Sequence, residues 1–132
     1  MSKDFEQISK NSGFMKNNGG LFFKEISKIE FEFKTTITEK HLNSKGITHG
    51  GFISAIIDSG AGTAVYRSSN CSICVTVSLD IKFISPTKLG DVILGFVKIL
   101  KKTKTMLFVI CHLKSNGKII ASASGIWKIV KQ

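Results

Sequence analysis

One stretch limits the possible folds of this chain more than any other. Residues 48–68 read THGGFISAIIDSGAGTAVYRS. Ile53, Ile56, Ile57 and Gly60 recur at the spacing of one helix face, with Thr48 in the N-cap position. Yet Gly50, Gly51, Gly60 and Gly62 each cost a free helix about 1 kcal/mol relative to Ala. Such a helix makes sense when it is enclosed and other backbone passes close to its glycines. A chain of 132 residues is the size of one domain. The enclosure must come from the chain's own strands, so the expectation is a helix wrapped by a sheet.

The flanking sequence supplies those strands. Ile29, Phe31, Phe33, Thr35 and Ile37 alternate with polar residues, the period of a half-buried strand. A polar stretch, EKHLNSKGI, ends it. After the helix come four strand-like runs, at residues 72–84, 92–100, 105–113 and 118–130. They are parted by a turn around Pro86 and Gly90, by the basic turn KKTK, and by Ser115-Asn116-Gly117. Asn-Gly between strand patterns is a strong two-residue hairpin signal. The last three runs are expected to form an antiparallel meander. Residues 1–20 read as an extension, a short helix and then a loop, with Phe5, Ile8 and Phe14 docking on the main body. The predicted class is α+β: residues 1–132 as one domain, an antiparallel sheet curled around one long central helix.

Composition excludes several classes of protein. At 42% hydrophobic residues the chain can bury a core. No apolar run reaches the roughly 18 residues of a membrane-spanning helix, so no membrane insertion is expected. The charged N-terminus has no apolar core of a secretory signal and makes a poor transit peptide. A cytoplasmic location is expected, with an organelle such as the mitochondrion left open. Net charge is 19 − 9 = +10, and Arg67 is the one arginine. That surplus suits a polyanionic partner, but the lysines are spread along the chain, which argues against nucleic acid. Three cysteines point to a reducing compartment. Cys71 and Cys74 fall in a strand pattern, where positions three apart face opposite ways, so packing is expected rather than a zinc site. No phosphate-binding loop, dinucleotide fingerprint, nucleophile elbow or zinc-helix motif occurs. No metal site and no cofactor is expected.

What remains is one dense constellation: His41, Asn43, Gly46, His49, Gly50, Gly51 and Asp58. His49-Gly50-Gly51 opens the central helix, where backbone N–H groups lack partners and the dipole favours negative charge. A glycine there lets a ligand oxygen approach the backbone. That is the chemistry of an oxyanion hole. Asp58 lies further along the same apolar helix, where a carboxylate needs partners or a task. It reads either as functional or as part of a solvated helix face or a structural hydrogen bond, and His49 either as functional or as a capping or buried structural histidine.

Residues 41–64, HLNSKGITHGGFISAIIDSGAGTA, closely resemble the hotdog-fold acyl-CoA thioesterases, in particular the phenylacetate-pathway type. VTVSLDIKFISPTKLGD resembles the strand and turn that follow the helix in that family, and the likeness spans residues 22–130. The resemblance implies a hotdog fold and a homo-oligomer, dimer or tetramer, that hydrolyses an acyl-CoA. It implies that the Gly50 N–H holds the thioester carbonyl oxygen. Asn43 would position the water or the carbonyl. His49 would brace the loop or face the leaving thiolate. Asp58, from the partner subunit, would be the base or nucleophile, with Thr76 orienting the water or the carboxylate. Lys101, Lys102 and Lys104, on a hairpin, would meet coenzyme A phosphates. Ser78 and Ser59 depart from the family pattern and put acyl specificity in question. Phe52, Ile56 and Phe83 read either as acyl-tunnel lining or as core. Hotdog folds also serve as dehydratases and as non-catalytic acyl-CoA binders. A dehydratase would want a histidine inside the helix, and a binder would not need Asp58.

Overall fold

The computed structural model describes residues 4–131. Its elements, in order, are β1 (Glu6–Ile8), α1 (Gly13–Asn17), β2 (Leu21–Glu25), β3 (Glu30–Thr36), a single 3₁₀ turn (Glu39–His41), α2 (Gly50–Ser68), β4 (Ile73–Phe83), β5 (Val92–Lys102), β6 (Met106–Ser115) and β7 (Lys118–Lys131). The strands form one antiparallel sheet in the order β1-β2-β3-β5-β6-β7-β4. Helix α2 lies across one face of it. This is the hotdog architecture.

The expected meander is β5-β6-β7. Ser115 pairs with Lys118 around Asn116 and Gly117, whose φ values of 51° and 76° are the two left-handed positions of a tight hairpin. The strand after the helix does not join in chain order. It crosses over to flank β7 and becomes a free edge of the sheet, opposite the short edge strand β1.

The seating of α2 explains one of its glycines. Phe52, Ile53, Ile56, Ile57, Gly60, Ala61, Ala64 and Val65 face the sheet and are buried. The Phe33 ring is wedged between Gly60 of α2 and Gly95 of β5, and a Cβ on either would be driven into it. Small residues on both layers let helix and sheet close around one large ring. Phe31, Phe33, Thr35 and Ile37 point into this core as their alternation requires. Ile29 does not: it precedes the first residue of β3 and is 47% exposed.

Three local expectations need correction. The helix expected around Phe5 and Ile8 is a strand: Glu6, Gln7 and Ile8 pair with Phe23, Phe22 and Leu21. A three-residue strand is too short for its period to show against a helical one, and the free edge of β2 decides the outcome. The helix comes later, as α1, where Met15 is buried and Phe14 is 63% exposed. Ile8 does pack on the core. Residues 1–3 of the extension lie outside the described residues. The cap of α2 is His49, not Thr48. Thr48 is buried, with its hydroxyl donating to the Thr87 carbonyl at 3.2 Å. Cys71 is not in a strand: it is exposed and left-handed, with φ at 61°, ahead of β4. Cys74 is half-buried and Cys111 is buried in the core.

Candidate active site at the start of the central helix

The loop before α2 is built by its own side chains. Asn43 Oδ1 accepts the Lys45 N–H at 2.9 Å and the Ile47 N–H at 3.3 Å, a self-made turn. Gly46 supplies the positive φ, 80°. Thr48 is locked to Thr87 twice more: its N–H donates to the Thr87 carbonyl at 2.8 Å, and the Thr87 hydroxyl donates to its Oγ1 at 2.7 Å. The chain therefore enters α2 on a fixed path.

The first turn then sorts its amides. The Gly51 N–H is taken by His49 Nδ1 at 2.7 Å, and the Phe52 and Ile53 N–H groups by the His49 carbonyl. Gly51 is glycine because a Cβ there would lie 2.8 Å from His49 Nδ1. Among the described residues, the Gly50 N–H has no acceptor. A Cβ on Gly50 would meet only the edge of Phe83, at an ordinary 3.6 Å. The chain's own packing does not demand glycine at position 50, and the missing side chain leaves the amide open. Gly50 lines a cavity of about 340 Å³ together with Asn43, Ile53, Phe83, Ile84, Pro86 and Ile120, among others. A second cavity, of about 310 Å³, shares Ile47, Pro86, Thr87 and Ile120 with it and extends to Lys88 and Lys118.

Asp58 is exposed, and its Oδ1 accepts the Thr76 hydroxyl at 2.7 Å. The pair joins α2 to the free edge strand. Asp58 lies about 12 Å from Gly50 along the helix axis at 1.5 Å per residue. Asn43, His49 and Gly50 are thus gathered in one place, and Asp58 with Thr76 in another. His41 stands behind the loop, buried, with its ring stacked on Phe52 at 3.7 Å. Phe52 and Ile56 are core, whereas Phe83 is 58% exposed and walls the Gly50 cavity.

Lys101, Lys102 and Lys104 belong to the opposite end of the sheet. Lys102 pairs with Leu107, Met106 with Lys128 and Ile73 with Lys131. The Gly50 cavity is at the end where Phe83 pairs with Ala121. The 11 residues of β4 separate the two ends, about 33 Å for ten steps of 3.3 Å. The Thr48–Thr87 lock and the wall from Ile84 to Pro86 went unread in the sequence. Their one signal, the turn around Pro86, marks a break in strand pattern and gives no hint that it folds back onto residue 48.

This sheet and helix are the hotdog architecture, with an open amide at the start of the helix and a hydroxyl-tethered carboxylate further along it. The chain belongs to the thioesterase superfamily, whose family model matches residues 45–120. Human acyl-coenzyme A thioesterase 13 is 33% identical over 71% of this chain and 67% of its own length. A Pseudomonas aeruginosa protein carrying an esterase designation is 28% identical over 95% of this chain and 94% of its own. Among solved structures, thioesterase superfamily member 2 from Mus musculus superposes with a TM-score of 0.71 at 26% identity, over 82% of this chain and 80% of that one. A hypothetical thioesterase protein from Streptococcus pneumoniae, solved with coenzyme A, shares the fold at a TM-score of 0.80 and 19% identity, covering 98% of each chain.

Proposed function

We propose that this protein hydrolyses acyl-CoA thioesters to a free acid and coenzyme A, as a homo-oligomer whose sites are shared between subunits. The observation that carries this reading is the open amide of Gly50, a residue that lines a cavity with apolar walls on one side. A thioester carbonyl oxygen set against that N–H gains the helix dipole as it takes on charge. One such donor is worth about 2.7–4 kcal/mol in the transition state. The apolar walls beside it, Ile53, Phe83, Ile84 and Ile120, suit an acyl chain. Asp58 acts as base or as nucleophile, held by Thr76. As base it takes a proton from water while the water oxygen bonds to the carbonyl carbon. The tetrahedral oxyanion then collapses, expels the coenzyme A thiolate and leaves the acid. His49 braces the turn through its bond to Gly51, and Asn43 shapes the rim.

The 12 Å gap between Gly50 and Asp58 supports a partner's carboxylate at each site. Strand β4 is a free edge of 11 residues bearing Ile73, Val75 and Val77, each 47% exposed or more. Such an edge is a template for pairing. Two β4 edges paired antiparallel about a two-fold axis set the start of one against the end of the other. The partner's Asp58 then comes toward Gly50. So does its hairpin of Lys101, Lys102 and Lys104, far from Gly50 in its own chain, to meet the nucleotide phosphates. The direct test is a panel of acyl-CoA substrates with free-thiol release as the readout. Turnover of at least one acyl-CoA is expected. Binding of acyl-CoA with no thiol released would favour a non-catalytic binder.

A further inference from the structure

The first turn of a helix is its loosest part, because its amides lack the partners that fix later turns. Here that turn begins with two glycines, the residues that hold the backbone least. Something outside the helix must set where the Gly50 amide points. His41 reaches that turn along two routes. Its backbone carbonyl accepts the His49 N–H at 2.8 Å. Its ring lies flat on Phe52, with 9° between the planes. The ring is itself tethered at both nitrogens: Nδ1 accepts the Thr38 N–H at 3.0 Å, and Nε2 donates to the Asn18 carbonyl at 2.9 Å. Since a backbone carbonyl can only accept and a backbone N–H can only donate, those two partners fix the tautomer and the ring's orientation.

The Asn18 carbonyl belongs to the segment that caps α1. That segment is anchored by buried Met15, by the Gly20 N–H on the Met15 carbonyl, and by Lys40 Nζ on the Asn17 carbonyl at 2.9 Å. It precedes the part of the chain matched by the family model, residues 45–120. We infer that His41 is a positioning residue for the Gly50 amide, and that the α1 segment, through the Asn18 carbonyl, is part of the machinery that holds the oxyanion donor in place. This rests on the reading of Gly50 given under the proposed function.

Two variants separate positioning from mere filling of space. His41→Phe keeps a ring on Phe52 and removes both ring hydrogen bonds. His41→Gln keeps a donor and an acceptor and removes the ring. For folded His41→Phe, kcat is expected to fall on the order of 10-fold or more while KM for acyl-CoA stays within about twofold, because small misplacements of a catalytic group act on the chemical step. His41→Gln should recover a large part of that loss. Hydrogen exchange gives an independent readout: His41→Phe should speed exchange at Gly51, Phe52 and Ile53, with Ala61 to Val65 still protected. Wild-type kcat in folded His41→Phe, or unchanged exchange across the first turn, would overturn the proposal. If His41→Phe does not fold, Phe52→Leu removes the stack but keeps both ring hydrogen bonds, and the same two readouts decide. A wild-type protein inactive on every acyl-CoA would count against the proposed function, and the exchange result would still judge His41.

Discussion

Asp58, exposed, and Cys111, buried, show how two ionisable side chains in one small domain come to differ in use. Asp58 keeps a hydroxyl partner and open access, so its carboxylate is available to a substrate. Asp58→Asn preserves shape and one acceptor for Thr76 but cannot take a proton. It should cut kcat by about 10²-fold or more, the scale of a lost general base, with little change in unfolding temperature. Near-normal turnover in the folded variant would remove Asp58 from the chemistry. Cys111 is the reverse case. Burial pushes its thiol up to about 12 from an ordinary 9.0. It should resist alkylation at pH 8 in the native protein, while exposed Cys71 reacts. The neutral thiol's contribution to stability is complete below pH 9.0 and is lost as pH climbs toward about 12, because the unfolded chain gives up that proton first. A denaturation series over that range checks the sign.

At the scale of elements, the contact between α2 and the sheet sets what each glycine tolerates. Gly60→Ala presses a methyl into the Phe33 ring, and overpacking of that kind costs about 1–3 kcal/mol, more than the helix propensity gained. Gly62→Ala meets only Trp127 Nε1, at 3.7 Å, so it should gain up to about 1 kcal/mol. Urea unfolding of the two variants should therefore move in opposite directions. This contact is also where the sequence was most readable. The apolar, small-residue helix pointed to enclosure, but of its four glycines the sheet packs tightly only on Gly60, with the Phe33 ring rather than the expected backbone. The meander was legible for a similar reason, since alternation and an Asn-Gly turn are local signals. Strand β1 was not, because its pairing is decided by the edge of β2, remote in sequence. The cap at His49 was legible only as one of two readings of that residue, because imidazole is not among the side chains favoured at that position and Thr48 is. Phe83 read equally well as core or as wall, and its place beside Gly50 depends on a crossover that no local pattern encodes.

For the whole molecule, the spacing of the site's parts is decisive. One chain carries the amide at one end of α2 and the carboxylate about 12 Å along it. Its hairpin lysines stand at the far end of the sheet. If the partner's lysines meet the nucleotide, replacing Lys101, Lys102 and Lys104 with Ala should raise KM for acyl-CoA. KM for a short acyl-pantetheine thioester should change much less, the pattern of lost ground-state binding. Equal effects on both substrates would make the lysines a solubilising surface and nothing more. The most direct test of the shared site mixes two inactive proteins. Asn43→Ala damages the Gly50 side and Asp58→Asn the carboxylate side, so each homodimer should be nearly dead. Unfolded and refolded together with random pairing, half the dimers are mixed. In each mixed dimer one site carries both lesions and the other carries neither. With independent sites, roughly a quarter of wild-type thiol release should return. A mixture shown to have exchanged subunits but still inactive would contradict a site built from two chains.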